Sequence, residues 1–155
     1  MCDPVRFDEP PETPMTPSTL EHHLRLVGVL MLGIAALSLY VPRRFGWGGE
    51  IQRLTLLTRQ VFVVHAAFVS VVVLLLGLLH ACYAGALVAP GPLPRALLAG
   101  MLVMWGARLL AQFFYYDARL WRGNRLHTAM HVLFSGIYSY FVIIFAAALT
   151  VQARG

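Results

Sequence analysis

Residues 54–84 read LTLLTRQVFVVHAAFVSVVVLLLGLLHACYA, and this stretch decides the fold. It carries one charged side chain, Arg59, and it exceeds the ~20 residues that an apolar helix needs to cross a hydrocarbon core of ~30 Å. Similar apolar stretches cover residues 19–41, 94–116 and 125–152. Because short connections join these stretches, successive helices are predicted to be antiparallel neighbours. The sequence therefore predicts an all-α polytopic membrane protein, a four-transmembrane-helix bundle with up-down-up-down topology.

The composition excludes an ordinary soluble domain. Of the 155 residues, 59% are hydrophobic and 12% are charged, and the mean hydropathy is +0.70, whereas soluble domains carry about 25% charged residues. The net charge of +5 comes with twelve arginines and no lysine. These arginines flank the apolar stretches, as topology signals do, so nucleic acid is not an expected partner. Cys2 and Cys82 form no CxxC motif, so neither a disulfide framework nor c-type haem attachment is expected.

The chain divides into a tail and a membrane domain. Residues 1–17 are acidic and rich in proline and are predicted to form a disordered tail. Residues 18–155 form the membrane domain, whose partner is the lipid bilayer. Ser18 and Glu21 have capping-box spacing at the start of the first helix, and Pro42 is expected to end that helix.

The arginines also predict the orientation in the membrane. The tail is acidic and the second loop has only Arg95, whereas the first and third loops are rich in arginine. By the positive-inside rule, loops one and three are cytoplasmic, and both termini and loop two lie outside. The arginines of the two cytoplasmic loops are Arg43, Arg44, Arg53, Arg59, Arg119, Arg122 and Arg125.

Polar side chains at membrane depth mark a candidate site. His65 follows Arg59 by six residues and His131 follows Arg125 by six, so both rings are expected ~9 Å inside their arginine. Arg108 lies on a helix that runs the opposite way and reaches the same layer. Ionisable groups at this depth face the bundle interior, so three polar stripes are expected to converge. The candidate site comprises Arg59, His65, Arg108, Gln112, His127 and His131, rimmed by Tyr115 and Asp117.

Each of these residues also has a structural interpretation. Arg59 can anchor the topology by extending to the interface. Arg108 can pair with Asp117 or with helix-end carbonyls, or else with an anionic headgroup or a haem propionate. His65 and His131 can be neutral imidazoles that tie helices together, each contact contributing ~0.6 to 2 kcal/mol in a bilayer. These interpretations favour an accessory or structural subunit of a larger membrane complex or a homo-oligomer over an enzyme.

Binding of b-type haem, or quinone-linked electron transfer, is the first alternative. Two neutral imidazoles at equal depth on facing helices can hold an iron from both sides, and His65 with His131 would be the ligand pair. A second haem would need a partner for His80, and the fourth helix offers only Phe145 and Ala146 at that level. The residues of the haem site would be His65, His131, His127, Arg108, Arg59 and Gln112.

A metal-dependent lipid-modifying enzyme is the second alternative. His127 and His131 form an HxxxH pair on one helical face, and two further histidines are adjacent at His22 and His23. Membrane di-iron hydroxylases use a similar pattern, but they keep their histidines on one side of the membrane. The predicted topology places His22, His23 and His80 outside, away from the HxxxH pair, so this motif alone is a weak signal.

Two segments carry a resemblance to a known group of proteins. They are RQVFVVHAAF at residues 59–68 and WGARLLAQFFYYD at residues 105–117, followed by Trp121, His127 and His131. Together they resemble a group of small, uncharacterised four-span bacterial membrane proteins. The resemblance covers the second to fourth helices and implies a location in the bacterial inner membrane. It implies no activity and no functional residues.

Overall fold

The computed structural model describes residues 16–44, 46–116 and 125–154, and most of the predicted tail and Asp117 lie outside these ranges. The described residues form five helices and no strand: α1 (Pro17–Arg44), α2 (Trp47–Gln52), α3 (Leu56–Val88), α4 (Pro92–Phe114) and α5 (Arg125–Arg154). The four long helices, all but α2, are long and apolar enough to cross a membrane. The predicted all-α four-helix membrane bundle is thereby confirmed, and the chain is a multi-pass membrane protein.

The start of α1 differs from the prediction. Thr16 is the capping residue, since its Oγ1 accepts a hydrogen bond of 3.3 Å from the backbone N–H of Thr19. Pro17 occupies the first helical position, where its missing N–H costs nothing. The predicted capping box of Ser18 and Glu21 does not form, because Glu21 instead accepts a 2.6 Å ion-pair contact from Arg25 one turn later.

The connection between the first two spans contains a helix that the sequence pattern did not indicate. α1 continues beyond Val41 to Arg44, and α2 follows after Gly46, whose φ of 66° is left-handed. Glycine adopts this conformation without steric cost. Thr55 then caps α3 by accepting from the N–H of Thr58 at 3.4 Å. The chain therefore reverses direction through a short helix rather than an open loop.

The bundle consists of two antiparallel helical hairpins. In the first, α1 and α3 cross where Gly28 meets Gly77 and Ala81, and a Cβ at Gly28 would lie only 2.8 Å from the carbonyl oxygen of Gly77. Small residues at such a crossing allow the backbones to approach closely. In the second hairpin α4 packs along α5, with the ring of Trp105 4.8 Å from that of Phe141.

The two ends of the bundle differ in packing. We call the end where α1 begins and α5 ends the tail end, and the opposite end, where α4 ends and α5 begins, the loop end. The core lies mostly toward the tail end. By contrast, every residue from 60 to 69 of α3 is exposed, and we call this segment the exposed half of α3. The core is formed by Leu20, Leu24, Val27, Met31, Ala84, Leu87, Leu98, Met101, Trp105, Tyr138, Phe141, Ile144, Phe145 and Ala148.

Candidate functional site

A polar relay joins α4 to α5 near the loop end. Arg108 and Gln112 are one helical turn apart on α4, and Nη1 of Arg108 donates to Oε1 of Gln112 at 3.1 Å. Nε2 of Gln112 lies 2.8 Å from Nδ1 of His131 on α5. Gln112 is buried, with 6% of its surface exposed. We call Arg108, Gln112 and His131 the polar relay.

Two aromatic rings flank the cation of this relay. The guanidinium carbon of Arg108 lies 4.9 Å from the ring centroid of Tyr138 and 5.6 Å from that of Tyr116. Cations at this distance are attracted by the negative faces of aromatic rings. Within the described part of the chain, no carboxylate makes a salt bridge with Arg108, and the predicted partner Asp117 lies outside that part. Among the described residues, two rings and an amide oxygen orient this charge.

The relay fixes the tautomer of His131. Because the Oε1 of Gln112 accepts from Arg108, the amide nitrogen of Gln112 must be the group that faces His131. An amide nitrogen only donates, so Nδ1 of His131 accepts and its Nε2 carries the ring proton. A nitrogen with a proton is a hydrogen-bond donor and offers no lone pair to a metal. In this arrangement His131 is suited to an oxygen acceptor rather than to iron.

The other predicted site residues do not join this relay. Arg59 is half-buried on α3 and lines a groove of about 530 Å³ with α2 residues such as Ile51. His65 belongs to the exposed half of α3, and His127 is exposed at the start of α5. Tyr115 is also exposed, beyond the end of α4. The structure thus brings together three of the predicted residues, all from the second hairpin.

The heights of the histidines can be read from contacts between α3 and α5. Gln152 donates to the carbonyl of Leu87, 65 residues earlier, at 2.8 Å. The ring of His80 contacts that of Phe145, with the same offset, at 5.4 Å. The two helices are therefore parallel, and the offset carried along them puts His65 level with Met130, beside His131. The contact agrees with the expectation that Phe145 lies at the level of His80, whereas α3 is exposed at the height of His65.

The tail end holds a second set of polar contacts, which the sequence did not predict. His23 on α1 bonds the hydroxyl of Tyr140 on α5 at 2.8 Å. Arg95 donates to the backbone carbonyl of Gln152 at 2.7 Å. The side chain of Gln152 caps the end of α3, donating to the carbonyls of Leu87 and Ala89. No periodic pattern marks Arg95 and Gln152, because each sits singly near a helix end.

An open cleft of about 460 Å³ lies beside these contacts at the tail end. Its walls carry the carboxylate-bearing Glu21 and the buried Gln152, and the rest of its lining is mainly apolar. Glu21 is held by Arg25. In the described residues, no three His, Cys, Asp or Glu side chains are grouped so that they could hold a metal ion. Among the described residues, we take the polar relay as the candidate functional site.

Comparisons with known proteins add no relative to this description. The chain matches no protein-family model, no curated protein and no solved structure. The length and apolar character of the four long helices define the class of the chain, a multi-pass membrane protein.

Proposed function

We propose that this chain is an accessory subunit of a larger membrane complex and that it joins the complex through the exposed half of α3. The observation that supports this most is the exposure of every residue from 60 to 69 on a helix that is apolar enough to span the membrane. The apolar residues of this segment can lie favourably against lipid. Gln60 and His65 cannot, because polar side chains at membrane depth ordinarily face protein or a water-filled cavity.

A partner helix would remove the free-energy cost of exposing Gln60 and His65 to lipid. Side chains such as Gln and His hydrogen-bond across helix interfaces in membranes, where each contact contributes about 0.6 to 2 kcal/mol. Ala66 and Ala67 in the same segment permit a neighbouring backbone to come close. We therefore propose that the exposed half of α3 contacts a transmembrane helix of another protein, and contact with a second copy of this chain is the outcome that the experiment below must exclude.

The proposed setting is the bacterial inner membrane, with the loop end in the cytoplasm and both termini outside. Arg53 and Arg59 lie at the loop end, whereas Arg95 at the tail end is engaged with the carbonyl of Gln152. Cytoplasmic loops carry an excess of arginine, which favours this orientation. The resemblance of residues 59–68 to bacterial four-span proteins favours the inner membrane.

A b-type haem or quinone-linked electron carrier is the second candidate function. The equal height of His65 and His131, inferred from the offset between α3 and α5, favours it. The tautomer of His131 opposes it, because its Nδ1 accepts from Gln112 and its Nε2 carries the proton. For a metal-dependent lipid-modifying enzyme, no specific observation among the described residues speaks in favour.

The subunit proposal is tested by photo-crosslinking in native membranes. A photo-reactive amino acid replaces Phe68 in the exposed half of α3, or Val103 on α4 as the matched control; their side chains are 68% and 72% exposed. We expect one discrete adduct of higher mass from position 68 and only lipid adducts from position 103. Equal adducts from both positions, or an adduct at position 68 with twice the mass of this chain, would contradict the proposal.

A further inference from the structure

The open cleft of about 460 Å³ at the tail end carries one negative charge. Among the described residues that line it, Glu21 alone is charged. A Cβ at Gly85 would lie 3.5 Å from both carboxylate oxygens of Glu21, so the carboxylate lies against the last turns of α3. The rest of the lining is mainly apolar and includes Val88 and Val151. The cleft therefore combines an anion with surface that suits methylene groups.

The amide of Gln152 adds a second negative group to the wall of this cleft. Gln152 is buried, with 6% of its surface exposed, and its Nε2 donates to the carbonyls of Leu87 and Ala89. Among the described residues, no donor reaches its Oε1. A buried acceptor without a donor leaves the negative end of the amide dipole uncompensated. This wall therefore favours a positive group in the cleft.

The helix ends around the cleft have the same preference. Both α3 and α5 end here, at Val88 and Arg154, whereas only α1 begins here. Helix C-termini carry partial negative charge and favour cations. Residues 1–15 join α1 at this end and carry four carboxylates and one arginine, so their charge adds to the attraction for a cation.

The ion pair with Arg25 leaves part of the Glu21 carboxylate available. Nη2 of Arg25 contacts Oε1 of Glu21 at 2.6 Å, and the two side chains are 57% and 33% exposed. Ion pairs this exposed contribute little to stability. No described residue forms an ion pair with Oε2 of Glu21, and a carboxylate has about four lone-pair sites. A second cation can therefore share this carboxylate.

We propose that the tail-end cleft binds the primary ammonium group of a lipid headgroup, as phosphatidylethanolamine presents it. The membrane-spanning segments begin or end near the cleft at Pro17, Val88 and Ala153, which is the level of lipid headgroups. A primary ammonium offers three donors to carboxylate and amide oxygens, and the apolar lining accommodates the adjoining part of the lipid. This inference does not depend on the contact proposed for α3, because the exposed half of α3 does not line the cleft.

Lipid titration of the delipidated protein, followed by native mass spectrometry, tests the proposal. The probes are phosphatidylethanolamine, phosphatidylcholine and phosphatidylglycerol with identical acyl chains. We expect phosphatidylethanolamine to bind at least about threefold more tightly than either other lipid, within the effect of one partly exposed ion pair. The quaternary ammonium of phosphatidylcholine donates no hydrogen bond, and Glu21 repels the anionic phosphatidylglycerol.

Three variants separate the carboxylate from the ion pair and from the overall charge. Glu21→Gln should remove the preference for phosphatidylethanolamine. Glu50→Gln, which removes an exposed carboxylate from α2 at the opposite end, is the matched control and should retain it. Arg25→Gln breaks the same ion pair as Glu21→Gln but keeps the carboxylate, so it should bind phosphatidylethanolamine at least as tightly as the unmodified chain.

Four outcomes would overturn the proposal. The first is equal binding of phosphatidylethanolamine and phosphatidylcholine by the unmodified chain. The second is an equal loss of preference in Glu21→Gln and Glu50→Gln, which indicates general charge attraction. The third is an equal loss in Glu21→Gln and Arg25→Gln, which indicates that the ion pair matters and not the carboxylate. The fourth is displacement of the lipid by free ethanolamine at equal concentration, which indicates a site for a soluble amine.

Discussion

Nε2 of Gln112 on α4 lies 2.8 Å from Nδ1 of His131 on α5, and this hydrogen bond ties the two helices together near the loop end. The bond is directional because Arg108 occupies the amide oxygen of Gln112. A buried amide that is hydrogen-bonded at both its oxygen and its nitrogen contributes more to stability than either hydrogen bond alone. Removing the amide leaves both of its partners without a hydrogen bond.

Replacing Gln112 with Leu should destabilise the second hairpin. The variant keeps a similar volume but deprives Arg108 and His131 of their common partner, so we expect a loss of about 1 kcal/mol in the free energy of unfolding, within the range for membrane hydrogen bonds. Reversible unfolding in mixed micelles measures it. Gln60→Leu, at an exposed position of α3, is the matched control and should cause no loss. Equal stability of both variants would show that the relay does not support the fold.

Gly28 should be the least tolerant glycine of the first hairpin. A Cβ there would lie 2.8 Å from the carbonyl oxygen of Gly77 and closer still to the backbone nitrogen of Ala81. Backbone atoms cannot move aside cheaply, so Gly28→Ala should cost about 1 to 3 kcal/mol, as overpacking does elsewhere. Gly33→Ala on the same helix meets nothing within 4 Å and serves as control.

Thermal unfolding in mild detergent compares the two glycine variants. We expect a lower midpoint for Gly28→Ala and an unchanged midpoint for Gly33→Ala. An unchanged midpoint for both would mean that α1 and α3 do not cross at this point.

Protein purified from cells supplied with haem precursor should lack a bis-histidine Soret band in both the oxidised and the dithionite-reduced state. The physical reason is the tautomer of His131, whose Nε2 carries a proton while its Nδ1 accepts from Gln112. A control cytochrome from the same cells confirms haem supply. A band near one haem per chain that disappears in His65→Ala or His131→Ala would instead establish an electron carrier.

The orientation can be tested with single cysteines in a background in which Cys2 and Cys82 are replaced by alanine. Ala89→Cys lies at the tail end and Arg53→Cys at the loop end, and both positions are exposed. With a membrane-impermeant maleimide on intact spheroplasts, we expect labelling of Ala89→Cys only, because arginine-rich loops remain in the cytoplasm. Labelling of Arg53→Cys before permeabilisation would reverse the topology.

The four spans were predictable because their apolar length is a property of the chain alone. The stripe of Arg108 and Gln112 was predictable for a similar reason, since residues four apart share a helix face. The short helix α2 was not, because its residues WGGEIQ carry no apolar period and it begins after a left-handed glycine. The cap at Thr16 was missed because Ser18 and Glu21 offered the same spacing two residues later.

The distance between α3 and α5 in the plane of the membrane could not be predicted from the sequence. The depth of His65 follows from the rise per residue, and the contacts of His80 and Leu87 with α5 agree with that depth. How far apart two helices stand depends on the small residues at their crossings, and Gly28 with Gly77 ties α3 to α1 instead. Arg59 and His65, the two predicted site residues on α3, therefore remain apart from the relay.

The division into two hairpins has a consequence for how the chain enters the membrane during synthesis. The contact between α1 and α3 at Gly28 and Gly77 involves no polar side chain, so these two helices can pack together as soon as both have been synthesised. A helix that carries Arg108 without its partners is costly to insert, with an upper value of about 2.5 to 3.5 kcal/mol for an arginine at the helix centre. Its companions His131 and Tyr138 emerge from the ribosome only with α5. The two hairpins would therefore insert one after the other, and stable insertion of α4 would require that α5 has been synthesised.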